Sequence, residues 1–187
     1  MDEIKRALDL TENFPFRYLV QHVGHSREAD DPRKWDAAFN SLEHLAMFAK
    51  QRGVTIALEN TPGELATPTN LRHFIADTRL RDLRLCFDVG HAHIEEGVAP
   101  SFDAMRELVV TTHLHDNDGD KDEHLLPYRG TVDWPATLKL LAGLPIVLEL
   151  HDPAEENRAA EPSAPAAMLQ PVREVFEKFE GALAARA

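Results

Sequence analysis

Residues that bind metal ions close five short apolar runs in this sequence. RYLVQH (Arg17–His22), VTIALEN (Val54–Asn60), LRLCFD (Leu83–Asp88), VVTTHLH (Val109–His115) and PIVLEL (Pro145–Leu150) bring His22, Glu59, Asp88, His113 and Glu149 to or near their C-terminal ends. Three carboxylates gathered at one point repel one another, and burying them costs several kcal/mol unless a cation neutralises them. Coordination of a divalent ion is therefore the chemistry such a set serves. More candidates follow on the loops just past the runs: His91 and His93 in DVGHAH, His115 and Asp116 in HLHDN, and Asp122 and His124 in DKDEHLLP. The Asp-x-x-His spacing of Asp88 and His91 offers an oxygen and a nitrogen donor on one turn. For His93, His115 and Asp116, solvation at the surface competes with ligation. His44 and His73 fall inside helical patterns and are assigned to solvent or packing.

Convergence of these groups requires a particular scaffold. Each run has the length and the β-branched or large apolar content of a strand. Helical patterns separate them: Pro32–Arg52 with Trp35, Phe39, Leu42, Leu45 and Phe48 on one stripe, then Thr69–Thr78, Ser101–Leu108 and Trp134–Ala142. Strands apolar on both faces and joined by helical crossovers make a parallel sheet covered by helices, an α/β fold. Residues two apart in a strand share a face, so His22 sides with Val20 and Tyr18, Glu59 with Ala57 and Thr55, Asp88 with Cys86, His113 with Thr111 and Glu149 with Val147. The opposite faces carry Leu19, Ile56, Leu58, Leu85, Phe87, Val110, Ile146 and Leu148, which suit packing under helices. One polar residue thus ends each inner face, at the edge where barrels of this type place their sites.

Composition narrows the partners. The chain has 187 residues, 43% hydrophobic and 28% charged, and is sized for one domain with its own core. A formal net charge of −12 disfavours nucleic acid, whose binding depends on Lys and Arg, but not divalent cations. No run of 18 apolar residues occurs and the N-terminus, MDEIKRALDL, is charged, so neither a membrane span nor a secretory signal is expected. A single cysteine, Cys86, excludes an internal disulfide, and the cytoplasm is the expected compartment.

QHVG (Gln21–Gly24), LENTPG (Leu58–Gly63), DVGH (Asp88–His91), THLHDN (Thr112–Asn117), DEHLLPYRGTVDW (Asp122–Trp134) and LEL (Leu148–Leu150) together resemble the xylose isomerase-like barrels, the superfamily of sugar and sugar-phosphate isomerases and epimerases to which endonuclease IV is also related. The resemblance implies a TIM-type (β/α)-barrel that is partial. Five parallel strands in residues 1–151 correspond to the last five of eight, and about 90 residues of barrel would precede them. Residues 152–187 are expected to hold a linker, Asp152–Pro165, and a closing helix, Met168–Ala185.

By resemblance, Glu59, Asp88, His113 and Glu149 match four ligands of one divalent cation, Mn²⁺, Mg²⁺ or Zn²⁺. Glu59 and Glu149 match the pair that removes and returns a proton beside a carbonyl. His91 matches a histidine near the substrate oxygens, and Arg129 a position that contacts a substrate hydroxyl or phosphate. The implied substrate is a carbohydrate. His22, His91, Asp122 and His124 also resemble the extra ligands of a three-zinc nuclease centre acting on abasic DNA, a reading the acidic charge opposes. Val23 stands where the family has proline, and Arg129 where a Gly-rich turn is usual. The open edges of a partial barrel favour association into a homo-oligomer, and a non-catalytic truncated relative is the remaining alternative.

Overall fold

The computed structural model describes residues 2–25, 27–151 and 165–184. Helix α1 (Asp2–Asp9) leads into β1 (Tyr18–His22), followed by α2 (Pro32–Lys50), β2 (Thr55–Glu59), α3 (Pro68–Asp77) and β3 (Arg84–Asp88). Then come α4 (Val89–Ile94), α5 (Val98–Met105), β4 (Val109–Leu114), α6 (Trp134–Leu140), β5 (Ile146–Leu148) and α7 (Pro165–Ala184). The strands lie in the order β1-β2-β3-β4-β5 and every pair is parallel, giving a half-barrel under covering helices.

Local sequence starts these helices sharply. Asp31, Thr67 and Asp133 each accept a hydrogen bond from a backbone N–H of the first turn, and each is followed within two residues by a proline whose ring presets the helical backbone. Gly53, at φ +69°, turns the chain out of α2 in the left-handed conformation that glycine adopts without strain. The expected stripe on α2 does face the sheet: Leu42 and Leu45 are buried, and Trp35, Phe39 and Phe48 pack against the core. So does the outer face of the central strands, where Ile56, Leu58, Leu85 and Phe87 are buried. Together they form one apolar layer between sheet and helices.

Three expectations need correcting. Residues 89–94, expected as loop, form α4, because Asp88 ends its strand and at once caps a helix by accepting from the His91 amide at 2.7 Å. Helix α5 starts three residues earlier than expected, at Val98, after Gly97 turns with φ +89°. Surface solvation fails for His115 and Asp116, which are fully buried. The expected linker lies outside the described residues, apart from Pro165, which opens α7.

Asp116 organises the far side of the half-barrel. One oxygen, Oδ1, accepts from the amides of Asn117 (3.0 Å) and Val132 (3.1 Å), and the other, Oδ2, accepts from the Trp134 indole at 2.7 Å. This ties the end of β4 to the start of α6. Phe179 of α7 then packs on Trp134 with ring centroids 5.4 Å apart, which seats the last helix. Replacing Trp134 by Phe removes the indole donor and leaves a buried carboxylate oxygen without its partner, so the variant should lose about 2 kcal/mol in urea unfolding. An unchanged midpoint would show that Asp116 does not depend on this bond.

Candidate metal centre

The inward residues stand in tilted layers because neighbouring strands are staggered. In register, His22 lies beside Glu59, Glu59 beside Cys86, and Cys86 beside Thr111. One layer further along come Asp88, His113 and Val147, and Glu149 lies two residues beyond Val147. Such a stagger accompanies the strand tilt of a barrel. The side chains span the offset: one donor atom from each of Glu59, Asp88, His113 and Glu149 lies within 4.8 Å of all the others. His113 Nδ1 is 3.0 Å from Glu59 Oε2 and 2.8 Å from Glu149 Oε2. His22 joins at the open side, its Nε2 3.3 Å from Glu59 Oε2.

A second group of donors adjoins the first. His91, His115, Asp122 and His124 also bring one donor atom each within 4.8 Å of one another. His91 Nε2 and His124 Nε2 both lie 3.2 Å from the Asp122 carboxylate. Their remaining ring nitrogens face main-chain carbonyls: His91 Nδ1 pairs with Asn60 O at 2.8 Å and His124 Nδ1 with Glu149 O at 3.1 Å. A ring N–H donating to a carbonyl leaves the opposite nitrogen as a lone pair, which is how metal-binding histidines are commonly oriented. The groups touch through Asp88, whose Oδ1 is 3.1 Å from His115 Nε2 and 3.4 Å from His91 Nδ1.

The donor set fits a cation. Among the described residues, the buried side-chain polar atoms that make no well-aligned hydrogen bond, several of them despite a close ionic neighbour, are Glu59 Oε1, Asp88 Oδ2, His113 Nδ1, Glu149 Oε2, Asp122 Oδ1, both ring nitrogens of His115 and Ser101 Oγ. All except Ser101 belong to these two groups. Orphaned acceptors of this kind are costly in a protein interior, and clustering them around carboxylates is what an ion would repay.

Sequence reading missed several residues that build the site. Asn60 clamps the end of β2 to β3, donating from Nδ2 to Asp88 O (3.0 Å) and accepting at Oδ1 from the Asp88 amide (2.8 Å). Gly90 leaves room for a ring: a Cβ there would lie 2.0 Å from His115 Cε1. His151 stacks on His124 with centroids 4.1 Å apart, and His124 in turn stacks on His115 at 3.9 Å. LENT and DVGH stand in the quoted motifs, so Asn60 and Gly90 were visible there, though their contacts were not. Arg129 is not brought in; it is exposed, and its side chain makes no hydrogen bond with a described residue. His93 instead pairs with Thr131 Oγ1 at 2.8 Å.

Ionisation follows from this crowding. Burial opposes charge on Glu59, yet the His113 and His22 rings outweigh it and hold the carboxyl well below its ordinary range. Burial likewise disfavours charge on Asp122, but His124 and His91 reverse that. His113 is raised far above the usual imidazole value, because its contacts with Cys86, Glu149 and Glu59 overcome burial. His91 is lowered by burial and raised more by Asp88 and Asp122, ending at about 9.

A family model for xylose isomerase-like TIM barrels matches residues 1–170. The chain belongs to this family. It is 42% identical to the uncharacterised protein y4fM of Sinorhizobium fredii over 151 residues, which cover 74% of this chain and 47% of that protein. It is 25% identical to fructoselysine 3-epimerase of Escherichia coli O157:H7 over 136 residues, 70% of this chain and 50% of the epimerase. The chain spans about half the length of the curated relatives it matches. A solved structure of IolI protein with a bound zinc atom superposes with a TM-score of 0.75 at 18% identity, over 95% of this chain and 68% of that one. At that identity the likeness bears on the fold.

His91 carries a testable pH dependence in the metal-stripped protein. A raised folded-state value means that its stabilisation is complete below the ordinary imidazole value of 6.5 and is lost as pH rises through about 9. Urea midpoints measured in EDTA should therefore fall across that interval, and less so in His91→Asn. Equal slopes for the two proteins would remove His91 as the cause.

Proposed function

We propose that this half-barrel carries the metal centre of a sugar or sugar-phosphate isomerase or epimerase, acting by proton transfer at a carbon next to a carbonyl. The observation that carries this reading is the convergence of Glu59 and Glu149 on one imidazole nitrogen, at 3.0 and 2.8 Å. Two carboxylates so close can serve one reacting carbon from two sides, one removing the proton and the other returning it. Their environments differ in a way that suits such a division. Glu59 is 1% exposed, whereas the Glu149 side chain is 40% exposed at the open mouth. Asp88 and His113 complete the set; without an ion His113 holds positive charge between the two carboxylates, and as a ligand it would give up that proton. A divalent ion held by Glu59, Asp88, His113 and Glu149 would polarise the carbonyl and stabilise the negative charge that follows proton loss. Three oxygen donors and one nitrogen suit Mn²⁺ or Mg²⁺ as well as Zn²⁺. His22, half-exposed beside Glu59, is the imidazole that a substrate hydroxyl would meet. The relationship to a fructoselysine 3-epimerase supports the same class of reaction.

A second reading rests on the group His91, His115, Asp122 and His124, which gives the centre room for more than one ion. Several zinc ions side by side suit attack on a phosphodiester, as in an endonuclease IV-like enzyme on abasic DNA. The net charge of −12 weighs against a polyanionic substrate.

Assay of the chain with a panel of ketoses and ketose phosphates and added Mn²⁺ should show epimerisation, with solvent deuterium entering at the inverted carbon. Glu59→Gln and Glu149→Gln should each lower turnover by about 100-fold or more while staying folded. Absence of turnover in the Mn²⁺-loaded intact chain would sink the proposal. Metal content by mass spectrometry separates the readings: about one ion per chain with sugar turnover supports the first, and about three zinc ions with cleavage of abasic DNA supports the second.

A further inference from the structure

Cys86 is used neither in the proton transfer nor among the four donors assigned above. It sits on β3, fully buried, two residues before Asp88 on the same face and directly across the sheet from Glu59. One donor atom from each of Glu59, Cys86 and His113 lies within 4.8 Å of the other two. One of these partners points to a ligand independently of the cysteine. Glu59, 1% exposed, keeps Oε1 without a hydrogen-bond partner.

Resting on the reading of the centre as ion-binding, we propose that Glu59, Cys86 and His113 form a second, softer position for a divalent ion, one residue layer below the Glu59, Asp88, His113 and Glu149 position. A carboxylate, a thiolate and an imidazole make a set for thiophilic cations, zinc and cadmium above all. Binding there exchanges the Cys86 S–H bond and the His113 N–H bond for bonds to the metal and releases both protons to solvent, with no change of oxidation state. Mg²⁺ and Mn²⁺ gain little from sulfur and stay with the carboxylate-rich upper set. Both positions draw on Glu59 and His113, so one ion occupies one position or the other. The thiophilic ion thereby withdraws the inner proton-handling carboxylate from substrate. The centre discriminates between hard and soft ions by depth.

Cadmium reports thiolate coordination directly through a ligand-to-metal charge-transfer band in the ultraviolet. Adding Cd²⁺ to the EDTA-stripped, reduced full chain should raise this band to saturation at one equivalent, and excess Mn²⁺ should lower it. The band should be lost in Cys86→Ser and kept in Asp88→Asn, with folding of both variants checked by circular dichroism. If Cys86→Ser does not fold, the wild-type titration with Mn²⁺ competition decides. No band from wild-type chain whose thiol titrates as reduced after unfolding overturns the proposal, as does loss of the band in folded Asp88→Asn or a band indifferent to Mn²⁺. Mn²⁺-dependent epimerisation without the band removes this inference alone. A band with no epimerisation removes the proposed activity and leaves the soft position standing.

Discussion

Mutual repulsion among Glu59, Asp88 and Glu149 is the constraint around which the rest of the molecule is arranged. Donor atoms from these three and from His113 sit within 4.8 Å of one another, two of the carboxylates almost wholly out of water. Like charges at that separation in a poorly solvated place are held together only by surrounding structure and by positive charge. The scaffold supplies the first through strand pairing, the Asn60 clamp and the cap on α4. Imidazoles supply part of the second, and an ion would supply the remainder. Many features that look incidental by themselves, such as the space beside Gly90 and the carbonyls facing His91 and His124, serve to hold nitrogen donors against this acidic point.

The middle of the sheet and its flanks differ in how completely they are built. On β2 and β3 the inner donors are buried to within 1% of full enclosure, whereas Val147 on β5 is 43% exposed and the His22 side chain on β1 is 47% exposed. The central strands have a neighbour on each side, and β1 and β5 have one each among the described residues. Solvent therefore reaches the centre from the flanks, past His22 and Glu149, and not through the covered face behind β2 and β3.

Period-two alternation in the strands was legible in the sequence, and it identified Glu59, Asp88, His113 and Glu149 as inward-facing because that property is local to each strand. The stagger between strands was not legible. It depends on which residues pair across the sheet, including the irregular step near Leu85 and Cys86, and no single segment encodes it. Parity alone sets no level along the strands: Glu59 shares its level with Cys86, and His113 shares its level with Asp88. Helix α4 was missed because six residues with two histidines and a glycine show no helical apolar stripe, and its start comes from a side-chain cap. For His115 and Asp116, candidate ligands with surface solvation as the rival reading, the sequence did not decide; a tryptophan indole 18 residues away in sequence takes Asp116 into the interior.

Asp88 joins three kinds of structure in one side chain: it ends β3, caps α4 through Oδ1 and presents Oδ2 to the donor group. Its main chain is held by the Asn60 side chain, and its carboxylate is oriented by the His91 amide, which donates to Oδ1. Strand end, helix start and donor atom behave as a single cooperative unit. Such an arrangement resists gradual retuning, because a longer or shorter acid at this position would shift a helix as well as a ligand. Adaptation to new substrates would then be steered toward the open mouth around His22, Glu149 and His151, where side chains are free of that double obligation.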